Sequence, residues 1–170
     1  MAYDPDLLQY RIAWEGEHTR TAAMLLFAFN WCDSQPLCRG NLGIPRRKMP
    51  QIRPHAMSAF LDWVGKHGVT VHTVRKRVQE LRATQLEIDP AMIDRILADG
   101  VDALLSKKPM LASKDGYILD GHHRWAALLT IDPDAQVSLL EFSVTVRQLL
   151  DLAWAFPGVE FSDRVGDILS

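Results

Sequence analysis

Cysteine is scarce in this 170-residue chain, with only Cys32 and Cys38 present. Two thiols with five residues between them and no matching Cys/His pair elsewhere make neither a disulfide framework nor a structural zinc site, which fits a reducing cytoplasm. No apolar run approaches the roughly 20 residues that a membrane span needs. The first eight residues carry Asp4 and Asp6 rather than the basic and apolar pattern of a signal peptide. There is no internal repeat and no low-complexity tract, which excludes a solenoid or a disordered tail as the main architecture. The expectation is a soluble, cytoplasmic protein with no membrane partner. At 48% apolar and 24% charged residues, it has room for one ordinary domain or a compact domain with an extension.

Net charge is also small, at -2, but it is unevenly spread. Between Arg39 and Arg82 ten Lys and Arg residues face only Asp62 and Glu80, a net +8; the first 38 residues carry -3 and the last 88 carry -7. A basic block inside an acidic protein can hold a polyanion, nucleic acid or a nucleotide phosphate, through Coulomb attraction and counterion release. It can equally be a solvated face paired with the acidic half. The candidate nucleic-acid contacts are Arg46, Arg47, Lys48, Arg75, Lys76 and Arg77.

The texture of the sequence changes near Cys32 and near Gln85. Over 15–31 the spacing of Ala22, Leu25, Leu26 and Phe29 predicts an amphipathic helix. Over 33–54 four prolines and two glycines predict a loop or arm, which carries Arg46-Arg47-Lys48. Residues 56–64 and 73–81 read as two helices around a glycine-containing turn. The run Gly68 to Arg75 resembles the turn and recognition helix of helix-turn-helix regulators, a resemblance that implies a basic helix entering the DNA major groove.

The second half is more regular. Pro90 opens a helix with Met92, Ile93, Ile96 and Leu97 as its apolar stripe and Gly100 at its end. Segments 109–113 and 117–119 flank Lys114-Asp115-Gly116, a tight-turn signal that predicts a hairpin. Val137 to Phe142 predicts a strand, and Val146 to Phe156 a helix stopped by Pro157. Trp125 and Trp154 fit the core at helical spacing better than they fit a role in stacking on a base.

At Asp120-Gly121-His122-His123-Arg124 the alternation of a strand gives way to helical spacing. A strand that turns directly into a helix collects backbone N–H groups and the positive end of the helix dipole at one spot, which attracts phosphate. Gly121 lets the phosphate approach, and His122, His123 and Arg124 add donors within one turn. Asp120 suits a magnesium ligand or a general base for a hydroxyl, although it could instead cap the helix, and one histidine could be a core residue.

These residues, with Lys108-Pro109-Met110-Leu111 and the hairpin, resemble the ParB/sulfiredoxin superfamily over roughly 81–155, most closely its free serine kinase branch. The resemblance implies a ParB/sulfiredoxin-like α+β fold whose loop binds nucleotide phosphates, with Lys108 among the binding residues. Sulfiredoxins have Gly-Cys-His-Arg at this loop and ParB proteins Gly-Glu-Arg-Arg; His122 stands where the sulfiredoxin cysteine would, so the kinase pattern fits best. The kinases place a catalytic glutamate where this chain has Gln85, which leaves Glu87 or Asp120 as the base.

The combined expectation is an α+β chain with a small mixed sheet and packed helices at 81–170, preceded by a mostly helical extension with a basic arm at 1–80. It would bind ATP or ADP with Mg2+ and phosphorylate a hydroxyl of a small molecule or nucleic acid. Asp120, Glu87 and His122 are the candidate catalytic residues, Gly121, His122, His123, Arg124 and Lys108 the candidate nucleotide contacts, and Asp120 the candidate metal ligand. The alternative expectation is a ParB-like DNA-binding protein with a regulatory or vestigial nucleotide pocket. Oligomeric state is not legible.

Overall fold

The computed structural model describes residues 42–88, 90–106 and 108–161 and the backbone of 29–30. In chain order the elements are β1 (Phe29–Asn30), a 3-10 turn (Arg46–Lys48), β2 (Pro50–Gln51), a second such turn (Pro54–Ala56), α1 (Met57–Lys66) and β3 (Val71–Arg77). A third 3-10 turn (Val78–Glu80), β4 (Glu87–Ile88), α2 (Pro90–Ala98), α3 (Val101–Ser106), β5 (Met110–Ser113) and β6 (Ile118–Asp120) follow. The chain continues through α4 (His122–Ile131), β7 (Gln136–Phe142), α5 (Val146–Ala155) and β8 (Glu160–Phe161). This is an α+β architecture. No helix among the described residues is long and apolar enough to cross a membrane.

Four strands form a mixed sheet in the order β3-β7-β5-β6, with β5 and β7 parallel and the other pairs antiparallel. The sheet is buried on both faces because successive side chains on a strand point opposite ways. Met110, Ala112, Ile118, Val137 and Leu139 meet Ile93 of α2, Leu104 of α3 and Trp125 to Leu129 of α4. On the other face Leu111, Leu119 and Phe142 meet Phe60 and Val64 of α1 and Leu149, Leu150 and Ala153 of α5. Phe60 is the hub there, with its ring centroid 5.8 Å from Phe142 and 5.3 Å from Phe156.

The hairpin, the α2 and α4 helices, the β7 strand and the α5 helix stand where periodicity places them. The expected helix over 73–81 does not: Val71–Arg77 is a strand, paired along its whole length with β7. The β-branched run Val69-Thr70-Val71 and Thr73-Val74 loses side-chain freedom in a helix and packs well on a pleated surface. Gly68, at φ +80°, ends α1 with the paired bonds Val69 N–H to Val64 O (3.1 Å) and Gly68 N–H to Gly65 O (3.0 Å), which direct the chain into that strand. The helix-turn-helix resemblance therefore has no recognition helix behind it.

The segment expected to be an arm is packed over its described part. Met49 is fully buried and Ile52 nearly so, both in the second core. Ile44 bridges Gln85 in parallel, with Ile44 N–H on Thr84 O (3.0 Å) and Leu86 N–H on Ile44 O (2.7 Å). β3 is an edge strand of the sheet, and Met49, Ile52, Phe60 and Val64 pack in the second core with residues from beyond position 80. Most of the helix expected over 15–31 lies outside the described residues, as do Cys32 and Cys38; its end, Phe29–Asn30, is extended and pairs with β4.

Trp125 is a core residue whose indole N–H donates to the Val78 carbonyl at 3.0 Å, and Trp154, half exposed, donates to the Lys48 carbonyl at 2.9 Å. Replacing Trp125 by Phe leaves that buried carbonyl unsatisfied and a void beside it. The expected loss is about 1–3 kcal/mol in chemical denaturation, with the native circular dichroism spectrum kept.

Candidate functional site

The site grows from the end of β6. The chain passes from Asp120 into α4 through one residue, Gly121, which takes φ +107° as the N-cap. A Cβ there would lie 2.8 Å from the Met110 Cγ, so the position needs glycine both for its backbone angle and for its space. No side chain caps α4, so its first turn presents the positive end of the helix dipole. In front of that turn lies a cavity of about 620 Å3, walled by α2, by the chain around β2 and by the first turn of α4.

His122 lines the cavity too, but its Nε2 is turned to the backbone. Its Nε2 accepts the backbone N–H groups of Thr84 (3.1 Å) and Gln85 (3.3 Å), and it lies 2.9 Å from the Thr84 hydroxyl. An acceptor Nε2 puts the ring proton on Nδ1 and fixes the neutral tautomer. Burial holds its pKa down to about 3. His122 is thus a staple between the start of α4 and the 84–85 strand segment, and the expectation that it donates to phosphate through this nitrogen is corrected.

His123 and Arg124 line the cavity as well. His123 is also held to about 3, by burial first and then by the charges of Arg46, His122 and Arg95. Burial pushes the Arg124 guanidinium down and the Asp120 charge pushes it back up; an arginine stays charged through such shifts. Arg124 Nη1 donates to the Lys108 carbonyl at 2.5 Å. Lys108 itself is exposed, so among the described contacts it supports Arg124 through its backbone.

Three arginines that no loop motif marks share this cavity. Arg46 is buried, Arg53 stands at the rim with its Nε 2.8 Å from Glu160 Oε2, and Arg95 comes from α2. Arg95 was legible in part, since helical spacing puts it on one face with Met92 and Ile96, which line the cavity too. Arg46 and Arg53 belong to irregular backbone without a period to read. Asp120 is the only carboxylate among the described lining residues. Burial pushes it up, opposed by Arg124, the Gly121 N–H and Arg53.

The basic triplets come apart in three dimensions. Arg46 turns into the cavity while Arg47 and Lys48 stay exposed. On β3, Lys76 pairs with Glu141, Arg77 lies 3.7 Å from both Glu80 and Asp134, and Arg75 is exposed. These six do not form one surface. Gln85 is buried and lines the cavity; Glu87 lies in β4, paired by its backbone with Asn30. No group of three His, Cys, Asp or Glu side chains that could hold a metal ion occurs among the described residues. Asp120 alone could give a Mg2+ ion one carboxylate, and the rest of its shell would have to come from water or from a bound ligand.

Three expectations follow. His122→Ala removes the acceptor for two buried N–H groups and should cost about 2–4 kcal/mol, while His122→Gln, which restores an acceptor, should recover part of it. Both histidines are depressed from 6.5, so the unfolded chain binds more protons between pH 6.5 and 3. Stability is complete above 6.5 and falls as pH drops through that window; in urea melts against pH the fall should be shallower in His122→Gln. Gly121→Ala should lose about 1–3 kcal/mol by the same assay, from strain and from the Met110 contact. No protein-family model, no curated protein and no solved structure matches this chain, so the chemistry of the cavity has to be argued from its own residues.

Proposed function

We propose that this cavity binds the phosphates of ATP or ADP at the start of α4 and transfers a phosphoryl group to a hydroxyl of a small molecule or nucleic acid. The observation that carries it is four arginines and a helix N-terminus sharing the lining of one cavity with a single, partly buried carboxylate, in a space large enough for a nucleotide. Such a concentration of positive charge is costly to fold unless an anion neutralises it. The resemblance of the Asp120 to Arg124 string to the free serine kinase branch points the same way.

Arg124, His123 and the first-turn N–H groups hold the phosphates, with Arg46, Arg53 and Arg95 spreading the charge that develops on transfer. Asp120 accepts the proton of the acceptor hydroxyl as its oxygen bonds to phosphorus. The phosphorus–oxygen bond to the departing nucleotide breaks, and its electron pair stays on the nucleotide. The upward push on Asp120 suits it to a base working nearer neutrality than an ordinary carboxylate. Gln85 cannot accept that proton, and its place in the wall suits it to contacting the bound molecules.

Calorimetry with ATP, ADP and CTP in the presence of Mg2+ tests the binding. An adenine nucleotide should bind, and Arg95→Ala/Arg124→Ala should weaken it at least about 100-fold, since each lost charged contact costs about 1.5–3 kcal/mol. Asp120→Asn should keep the nucleotide and lose transfer to acceptors, screened from serine and DNA onward. Failure of every nucleotide to bind would overturn the proposal.

A further inference from the structure

His123 stands on the cavity wall among four arginines, Arg46, Arg53, Arg95 and Arg124. It sits one residue inside α4, on the cavity wall, between Arg46 of the first 3-10 turn and Arg95 of α2. The other charged or titratable groups facing the cavity are Arg53 beyond β2, Asp120 at the end of β6, and His122 and Arg124 on its own helix. Of these, His122 is committed to the Thr84 and Gln85 N–H groups through Nε2, and a proton on that nitrogen would set donor against donor.

We infer that His123 is a proton-coupled anion ligand: when an anion seats at the first turn of α4, its imidazole takes up one proton and becomes a further charged donor to that anion, beside Arg124 and the other arginines of the cavity. The inference deepens the proposed phosphate site and rests on it. The argument is electrostatic. Without an anion the surrounding arginines, the helix dipole and burial all oppose a positive ring. An anion placed among the same groups reverses the sign of the local field, and inside a protein wall that coupling is far stronger than in water. Proton uptake then makes the site bind more tightly as pH falls. The sign follows from linkage, because the complex holds more protons than the free protein. The site would therefore take its anion with a proton and give both up as pH rises, without any movement of the fold.

Sulfate is the probe, because it does not titrate near neutrality and every proton counted belongs to the protein. Calorimetric titration at pH 6 in two buffers of different ionisation enthalpy counts the protons. Wild type and Asp120→Asn should both take up a proton on binding. His123→Gln should still bind sulfate through the arginines, with no uptake. The wild-type Kd should fall about 50-fold between pH 7 and pH 5, its slope reaching about one proton at the acid end. In the wild-type protein, NMR of the His123 ring should show its titration midpoint moving up with sulfate, which keeps the test open should the glutamine variant fail to fold. Sulfate binding without proton uptake would overturn the inference and leave the anion site standing. So would uptake that Asp120→Asn abolishes and His123→Gln keeps, which would assign the proton to the carboxylate. No sulfate binding at all would overturn both this inference and the phosphate site beneath it.

Discussion

The strand-to-helix junction at Gly121 and His122 is the constraint on which the site depends. Gly121 lets the chain reverse from β6 into α4 in one residue, and His122 then drops its ring beneath the helix to accept the N–H groups of Thr84 and Gln85. One neutral imidazole thereby ties the β6–α4 junction to the 82–86 segment, 37 to 38 residues earlier in the chain. That segment is in turn bridged by Ile44 on one side and by Tyr117 on the other. The β6 edge is covered in this way, and the backbone that carries Gln85 becomes part of the cavity wall. The staple works only while the ring is neutral, so the same interaction ties the integrity of the site to pH.

Around that junction the fold gathers positive charge. The two cores hold the sheet from both faces with aliphatic and aromatic side chains, while at the cavity Arg53 pairs with Glu160 and Arg124 donates to the Lys108 carbonyl. Four guanidiniums close to a helix N-terminus repel one another and the dipole. Asp120 offsets part of that repulsion, at the cost of burying a carboxylate. Under the proposed function, a bound anion would offset the rest of it.

The sequence pattern and the tertiary structure divide the explanation in a way that particular residues make plain. Apolar periodicity located α2, α5, β5, β6 and β7, because a two-face or one-face burial pattern leaves a period of about 2 or 3.6 in the chain. Asp115-Gly116 marked the hairpin turn, and Asp120-Gly121 the strand-to-helix junction, because glycine there answers a backbone angle that other residues resist. The junction between β6 and α4 was therefore legible in the sequence. The segment 71–77 was misread because Val74 and Val78 at a spacing of four fit a helix stripe as well as they fit a strand and its exit. Seven residues are too few for periodicity to decide, and pairing with β7, more than sixty residues away, decided it.

Only the tertiary structure settled what each cation does. Nothing local distinguishes Arg46 from Arg47, or His122 from His123, yet in each pair one side chain is buried and the other meets a different environment. Charge counted along the chain suggested one basic surface at 39–82. Folding instead sends Arg46 and Arg53 to the cavity, ties Lys76 and Arg77 to acidic neighbours, and brings Arg95 in from the acidic half. The reason is that the role of a charge depends on the groups within a few ångströms of it, and those are chosen by chain crossings that leave no period in the sequence. By itself the sequence determined the elements that carry their own local code and the loop where strand becomes helix. The tertiary structure decided which side chains face that loop, which histidine serves the backbone and which serves the cavity.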